Sequence, residues 1–421
     1  MSIKIKNTDL DFSELHNCIE QYVREGIIPF ANSVVLRGDD VIDFKLYGNL
    51  DLESDRPLTT DAIIRMHSST KLVCSIAAMM LWEEGKFSLD DPLEKYISDF
   101  GDMKVLNADA QNIDDTEAAH DSIRIRQILS HTAGFSYGFI EPDSIIDMAY
   151  IEESLNPLAP GTDMTLESLC TALGKLPLAY QPGTFWRYSF ATDVTARLIE
   201  VLSGQRFDKF LRERIFEPLG MLDTDFYVPI EKRDRLTTLY LPADPLDPTS
   251  QCATPMDSLP KITTDKPPSF LSGGSGLMST LADFLNFSKM IINEGQLNGK
   301  TLLKPETFTL MRTNQCAEGI GVNFPMWDMP GTTFGLGFAL KEQAAIDEPE
   351  SSIGEYHWGG MAGTHFWWSP KANLAGICMT QRMPGFLHPF SQEFKKLAYK
   401  IAGANTHTAD DSSGSRSKQH P

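Results

Sequence analysis

The chain has 421 residues, enough for one large domain or two interlocked ones. Its formal net charge of −20 argues against nucleic-acid binding, which requires a basic surface. No apolar stretch is long enough to span a membrane, and residues 1–7 lack the apolar segment of a signal peptide, so we expect a cytoplasmic protein without a membrane partner. Six scattered cysteines without a Cys-x-x-Cys pair predict reduced thiols. The nine histidines lack metal-ligand spacing, so we expect no metal, and no other cofactor is indicated.

The first half of the chain begins with an amphipathic helix predicted at 11–25. Two strands around a tight turn follow within 32–44. The region from Ser68 to about Gly220 is predicted to be rich in helices. A long connection punctuated by prolines then covers 228–268, where we expect irregular but packed backbone.

The second half returns to regular structure, with a helix predicted at 279–294. Strands are predicted at 334–340, 363–369 and 374–380. Strands near both ends and helices in the middle predict one sheet built from 1–67 and 262–402, with a helical domain at 68–261 inserted between them. The polar stretch 403–421 is predicted to be a disordered tail.

Ser68 and Lys71 form a Ser-x-x-Lys pair directly before the apolar residues 72–82. Positions i and i+3 share a helix face, so Lys71 can accept the proton of the Ser68 hydroxyl, and burial would lower the lysine pKa enough for this. Two other matches, at 258–261 and 415–418, do not open an apolar helix. Ser-x-x-Lys is a catalytic signature of penicillin-recognising enzymes, but the pattern alone also fits a helix cap beside a surface lysine.

Three further segments carry a resemblance to a known family. Residues 128–135 read ILSHTAGF and are similar to the LLTHTSGL segment of serine β-lactamase-like proteins. Residues 181–189 read QPGTFWRYS and resemble the PGxxWxYS segment that contains the catalytic tyrosine of those proteins. Residues 356–364 read YHWGGMAGT and stand where the family has its Lys-Thr-Gly strand. From about residue 14 to 402 the chain resembles the class C β-lactamase-like superfamily, and it is most similar to bacterial family VIII carboxylesterases.

The resemblance implies a two-part α/β (α+β) fold, an antiparallel sheet flanked by helices with an inserted helical domain, and an active site between the two parts. It implies that Ser68 is the nucleophile, that Lys71 holds and accepts its proton, and that Tyr188 moves a proton to the leaving group. The oxyanion would be held by the backbone N–H groups of Ser68 and Gly360. The sequence leaves open whether Lys71 or Tyr188 is the general base, since two such groups can titrate as a pair.

Two positions depart from the β-lactamase pattern and concern the substrate. His357 stands where the family has a lysine that binds a substrate carboxylate, and Phe190 stands where it has an amide-binding asparagine. A mostly neutral histidine and a phenylalanine cannot replace those contacts. We therefore expect His357, Trp358, Gly359 and Phe190 to line a substrate site for uncharged acyl esters.

The leading interpretation is a serine carboxylesterase that hydrolyses small or medium esters through a Ser68 acyl-enzyme. An acyltransferase using the same acyl-enzyme is an alternative, as is a weak β-lactamase or D-alanyl peptidase-like protein. A different class of hypothesis is a penicillin sensor or a non-catalytic scaffold. The presence of Ser68, Lys71 and Tyr188 together argues against the scaffold. The chain lacks a Gly-x-Ser-x-Gly elbow, which argues against an α/β-hydrolase fold. The predicted partner is a small-molecule ester, and the sequence leaves the oligomeric state open.

Overall fold

The computed structural model describes residues 3–155, 163–256, 268–324, 329–385 and 388–403. The predicted disordered tail lies outside these residues except for Gly403, and so does 257–267 of the predicted connection. Within the described residues, no helix is long and apolar enough to cross a membrane.

The described residues form eleven α-helices and fifteen strands. The helices are α1 (Ser13–Arg24), α2 (Thr70–Glu83), α3 (Ile125–Leu129), α4 (Ile145–Glu152), α5 (Leu166–Leu173), α6 (Ala191–Ser203), α7 (Phe207–Leu211), α8 (Glu217–Leu219), α9 (Leu281–Ile292), α10 (Pro305–Met311) and α11 (Phe390–Ala402). The strands are β1 (Phe30–Arg37), β2 (Asp40–Gly48), β3 (Ile63–Arg65), β4 (Lys104–Leu106), β5 (Thr116–Ala118), β6 (Tyr240–Pro242), β7 (Cys252–Pro255), β8 (Met278–Thr280), β9 (Gln296–Leu297), β10 (Lys300–Thr301), β11 (Thr332–Phe334), β12 (Ala339–Lys341), β13 (Tyr356–Gly360), β14 (Thr364–Ser369) and β15 (Leu374–Met379).

The main sheet joins the two ends of the chain. Its seven strands run in the order β11-β12-β13-β14-β15-β1-β2, and every neighbouring pair is antiparallel. The early hairpin β1–β2 therefore pairs with the late strand β15, with Val34 opposite Ile377. The predicted fold class, an antiparallel sheet flanked by helices, is confirmed. The predicted domain boundaries at 67/68 and 261/262 stay a prediction.

One predicted strand is wrong. The segment 334–340 is not a single strand, because β11 and β12 are separated by a turn in which the Gly335 N–H donates to the Phe338 carbonyl at 2.8 Å. Gly337 in this turn has φ of +97°, a conformation that glycine adopts without steric cost. The two glycines convert an apolar run that looks like one strand into a hairpin.

The sheet has two differently packed faces, because successive side chains of a strand point to opposite sides. Trp358 and Phe366 belong to a core that includes α2. Trp367 and Cys378 belong to a second core that includes residues of α1 and α11. The face on which a residue of β13 or β14 lies therefore decides whether it is near α2 or near the terminal helices.

Helix α2 lies in the centre of the larger core. Every residue from Thr70 to Leu81 is buried, as the apolar sequence predicts. The turn at Gly337 packs directly against it, since a Cβ atom on Gly337 would lie 2.1 Å from Ser75 Oγ. Contact this close leaves no room for any side chain at residue 337.

We expect Gly337→Ala to lower the free energy of unfolding by about 2–4 kcal/mol, because it adds an overpacked methyl group to a left-handed backbone. Gly299→Ala is the matched control: Gly299 has φ of +76°, but a Cβ there would meet no atom within 4 Å. The control should lose only about 1–2 kcal/mol, the backbone part of the cost. Chemical denaturation of both variants measures the difference, and equal losses would show that Gly337 is not in close contact with α2.

Candidate active site

Ser68 lies in a short 3₁₀ turn, His67–Ser69, that leads directly into α2. The turn is held against β14, because Ser69 Oγ lies 2.8 Å from Thr364 Oγ1, and Thr364 Oγ1 donates to the Met66 carbonyl at 3.2 Å. His67 and Ser69 are buried, whereas the Ser68 side chain between them is partly exposed. The turn therefore presents one hydroxyl, that of Ser68, at the start of α2.

Lys71 follows in the first turn of α2, and its amine is buried. Its Nζ donates to the Gly274 carbonyl at 2.7 Å and to Tyr137 Oη at 2.8 Å. Burial lowers the pKa of Lys71 to about 7, although the charge of Asp193 acts in the opposite direction. Near neutral pH a large share of these amines is neutral, which is the form that can accept a proton.

Tyr188 lies just before α6 and packs against the lysine. Its ring centroid is 4.4 Å from Lys71 Nζ, 5.3 Å from the Trp358 ring and 5.2 Å from the Tyr137 ring. Burial raises the pKa of Tyr188 well above its usual value, while interactions with Ser68 and Trp358 oppose this in part. Its hydroxyl has no fully aligned hydrogen-bond partner within the described parts of the chain. The structure thus brings Ser68, Lys71 and Tyr188 together, with Tyr188 as a neutral phenol.

Strand β13 passes beside this group and contributes Trp358, Gly359 and Gly360. Gly360 lies against the backbone that leads to Ser68, since a Cβ there would be 2.4 Å from the Met66 carbonyl oxygen. Trp358 lies on the same face of the sheet, next to Tyr188. Gly359 lies on the other face, where a Cβ would meet the His365 ring. Of these three residues, Trp358 and Gly360 are therefore the ones on the face of Ser68.

The structure does not bring His357 to the site, which corrects the expectation drawn from the sequence. His357 pairs with Trp367 across the sheet and faces α11, in a cavity that it shares with Lys341, His365 and Lys395. Burial lowers its pKa well below the usual value, and the charge of Lys395 adds to this. The side chain of β13 beside Tyr188 belongs to the next residue, Trp358, because a shift of one residue changes the face.

Phe190 also lies elsewhere than expected. It is fully buried directly before α6, and its ring packs against Tyr137 at 4.7 Å and Tyr150 at 6.1 Å between centroids. A side chain without exposed surface cannot line a substrate site in this conformation. The Phe190 ring instead packs against the Tyr137 ring and stabilises its position.

Two residues near Lys71 were missed in the sequence, namely Tyr137 and Asp193. Tyr137 contacts Lys71 Nζ, as described above, and follows the 128–135 segment by only two residues. Asp193 is a fully buried acid in the first turn of α6. Asp193 is the one charged residue among the buried residues of α6, and its position five residues after Tyr188 is the signal that could have identified it.

An ion cluster holds the two tyrosines in place. Arg187, the neighbour of Tyr188, donates through Nε to Ser136 Oγ at 2.8 Å. Its guanidinium also lies 3.2 Å from the buried carboxylate of Asp147. Because Ser136 precedes Tyr137 in the chain, Arg187 links the segment of one tyrosine to the segment of the other.

Chemically, the arrangement combines a partly exposed hydroxyl, a buried amine that is partly neutral near pH 7 and a buried phenol. These are the parts needed to form and break a covalent acyl-serine bond. Among the described residues, no group of three or more His, Cys, Asp or Glu side chains is placed to hold a metal ion.

Comparison with known proteins agrees with this geometry. The beta-lactamase family model matches residues 15–399. Protein Rv1367c of Mycobacterium tuberculosis is 31% identical over 375 residues, covering 87% of this chain and 89% of that protein. Esterase EstB of Burkholderia gladioli is 25% identical, covering 86% of this chain and 87% of its own length. The solved structure of EstCE1 superposes with a TM-score of 0.76 at 24% identity, covering 91% of this chain and 97% of EstCE1.

The match extends over nearly the whole chain, and the sheet and helices of the structure agree with those of the solved relative. The resemblance drawn from the three sequence segments is therefore confirmed. The chain belongs to the beta-lactamase family and is a serine hydrolase with the serine beta-lactamase-like fold.

Proposed function

We propose that this protein is a serine carboxylesterase that hydrolyses small or medium acyl esters through an acyl-enzyme on Ser68. The observation that carries the proposal is the side chain that β13 places beside Tyr188. It is Trp358, whose ring cannot form an ion pair with a substrate carboxylate. An apolar wall at this point suits an uncharged ester better than an anionic β-lactam.

The remaining surroundings of Tyr188 are also aromatic. The Phe324 ring lies 5.2 Å from the Tyr188 ring, and Phe334 lies 5.3 Å from Trp358. Trp186 stacks on Tyr188 at 6.2 Å. Phe324 is the partly exposed ring of this group, and an exposed aromatic surface binds an acyl chain through burial of apolar area and not through charge.

The proposed reaction has two halves. Ser68 Oγ attacks the ester carbonyl carbon while the neutral Lys71 amine takes the Ser68 proton, and the backbone N–H groups of Ser68 and Gly360 stabilise the oxyanion. The C–O bond to the alcohol then breaks, Tyr188 donates its proton to the leaving alkoxide, and the Lys71 ammonium returns a proton to Tyr188. Water releases the acid from Ser68 by the same proton transfers in reverse.

Acyl transfer to an alcohol is the second candidate, since an alcohol can replace water in the second half. EstCE1 is described as a hydrolase with promiscuous acyltransferase activity, which favours this candidate. The ratio of free acid to new ester, measured with and without added alcohol, distinguishes the two outcomes.

We expect Ser68→Ala to abolish both hydrolysis of p-nitrophenyl butyrate and labelling by a fluorophosphonate probe, because the nucleophile is lost. Ser69→Ala is the matched control: it removes a neighbouring hydroxyl that is buried and bonded to Thr364, so labelling should persist. Gel fluorescence and initial rates measure both effects. Continued labelling of the Ser68→Ala protein would assign the nucleophile to another residue.

The kcat/KM for the same ester should rise with pH, reach about half of its maximum near pH 7 and level off above that pH. The burial of Lys71 lowers its pKa to about 7, so the amine is protonated below that pH and neutral above it. Only the neutral form accepts the Ser68 proton, and the rate should therefore fall about tenfold per pH unit well below pH 7. Rates between pH 5 and 9 in buffers of constant ionic strength test this. A flat profile would exclude Lys71 as the base.

Esters should be preferred over β-lactams. Relative to uncatalysed reference rates, we expect kcat/KM for p-nitrophenyl butyrate to exceed that for nitrocefin by at least about 100-fold, or roughly 2.7 kcal/mol. Trp358→Lys should narrow this gap, because it places a cation beside Tyr188. His357→Lys, which adds the same cation to the opposite face of β13, should leave the gap unchanged. Faster turnover of nitrocefin by the unmodified protein would end the esterase interpretation.

A further inference from the structure

Asp193 is a fully buried carboxylate that the proposed proton transfers do not use. Its Oδ1 accepts from Ser272 Oγ at 2.6 Å and from the Gly274 N–H at 3.1 Å. Its Oδ2 accepts from Tyr137 Oη at 3.4 Å. Burial raises the pKa of Asp193, and these three donors, together with the charge of Lys71, oppose that rise by stabilising the ionised carboxylate.

Two of the three partners of Asp193, Tyr137 and Gly274, are also partners of Lys71. Tyr137 Oη and the Gly274 carbonyl accept from Lys71 Nζ at 2.8 Å and 2.7 Å. The packing leaves no room for a side chain at residue 274, since a Cβ on Gly274 would lie 2.4 Å from Tyr137 Oη and 2.7 Å from Asp193 Oδ2. The carboxylate therefore acts on Lys71 through two groups that it holds directly.

The direction of these hydrogen bonds has a consequence for the amine. Because the Tyr137 hydroxyl donates to Asp193, its oxygen must accept from Lys71, and the Gly274 carbonyl can only accept. A neutral amine has two N–H bonds and one lone pair. With both N–H bonds engaged by Tyr137 and Gly274, the lone pair is left free to accept a proton, and the Tyr188 ring lies 4.4 Å from Nζ.

We propose that Asp193 is a positioning residue that orients Tyr137 and Gly274 so that the neutral Lys71 amine presents its lone pair to Ser68. The inference rests on the proposed function, in which Lys71 takes the Ser68 proton.

The charge of Asp193 also affects the protonation of Lys71. Among the described residues, the titratable side chains facing the lysine come from three segments and are His67, Cys74, His131, Tyr137, Tyr188 and Asp193. Burial lowers the pKa values of both histidines and raises those of Cys74 and of both tyrosines, so all five are neutral near pH 7. Asp193 is the sixth member: burial raises its pKa, the charge of Lys71 and its hydrogen bonds oppose that rise, and the ionised carboxylate raises the pKa of Lys71.

The test is Asp193→Asn, which keeps the shape of the side chain but turns an N–H₂ group toward Tyr137 or Gly274. We expect kcat for p-nitrophenyl butyrate to fall about 10²-fold with KM changed less than about threefold, because misplacement of a reacting group costs about that much. The acid limb of the kcat/KM profile should move to lower pH, since the anion that raises the Lys71 pKa is gone.

Asp283→Asn is the matched control. Asp283 is likewise buried, and its carboxylate accepts from Thr224 Oγ1 and from the Asp223 N–H, both at 2.8 Å. Asp283→Asn makes the same chemical change away from Lys71, so the acid limb of the kcat/KM profile should stay at the same pH. If replacing any buried aspartate simply destabilised the fold, both variants would lose stability. Circular dichroism and thermal unfolding would detect that loss.

If Asp193→Asn fails to fold, Tyr137→Phe tests the same chain of contacts, because it removes only the hydroxyl between Asp193 and Lys71. We expect a similar fall in kcat with KM nearly unchanged. Normal kcat in either folded variant, with the acid limb of the unmodified protein, would overturn the role of Asp193. Failure of the unmodified protein to hydrolyse any ester would instead refute the proposed function.

Discussion

The burial of one amine is the constraint on which the rest of the site depends. Moving a lysine ammonium out of water costs several kcal/mol, and a protein avoids this cost by keeping the group neutral or by giving it partners. Lys71 has both: a pKa lowered by burial to about 7 and two oxygen acceptors on its Nζ. The same desolvation that makes the residue costly to bury makes it a base at neutral pH.

The site also requires the backbone to come close to Lys71 and to the turn of Ser68, and glycines make this close approach possible. Gly274 brings a carbonyl to Lys71 through a space that no side chain would fit, and Gly360 brings β13 against the turn of Ser68. In both places a backbone polar group takes the position that a polar side chain could otherwise occupy, and the side chain would have more conformational freedom. A polar group on the backbone is already fixed by the fold, so its orientation costs no further entropy on substrate binding.

The two faces of the sheet separate two sets of polar residues. Trp358 and Gly360 lie on the face of α2, near Ser68, Lys71 and Tyr188. His357 lies on the other face with Lys395, which forms ion pairs with Glu348 and Glu355. That second set attaches α11 to the sheet. The adjacent residues His357 and Trp358 therefore have different roles. Trp358 lies at the site, and His357 lies where α11 packs on the sheet.

The sequence by itself determined the local features. Ser68 and Lys71 are three positions apart at the start of an apolar segment, and helix geometry alone brings them to one side. The family segments around residues 131 and 188 established the fold class and identified Tyr188. Both ends of the chain were assigned to one sheet because strand patterns appear there and not in the middle.

Only the tertiary structure decided the rest. The face of His357 depends on strand register, where an offset of one residue exchanges inside and outside, and sequence spacing does not specify that offset. Asp193, Tyr137 and Gly274 come from three distant segments and meet only because α6 and the loop before β8 pack against α2. Hydrogen bonds between such segments leave no periodic pattern in the sequence, since each contact depends on packing across the whole core.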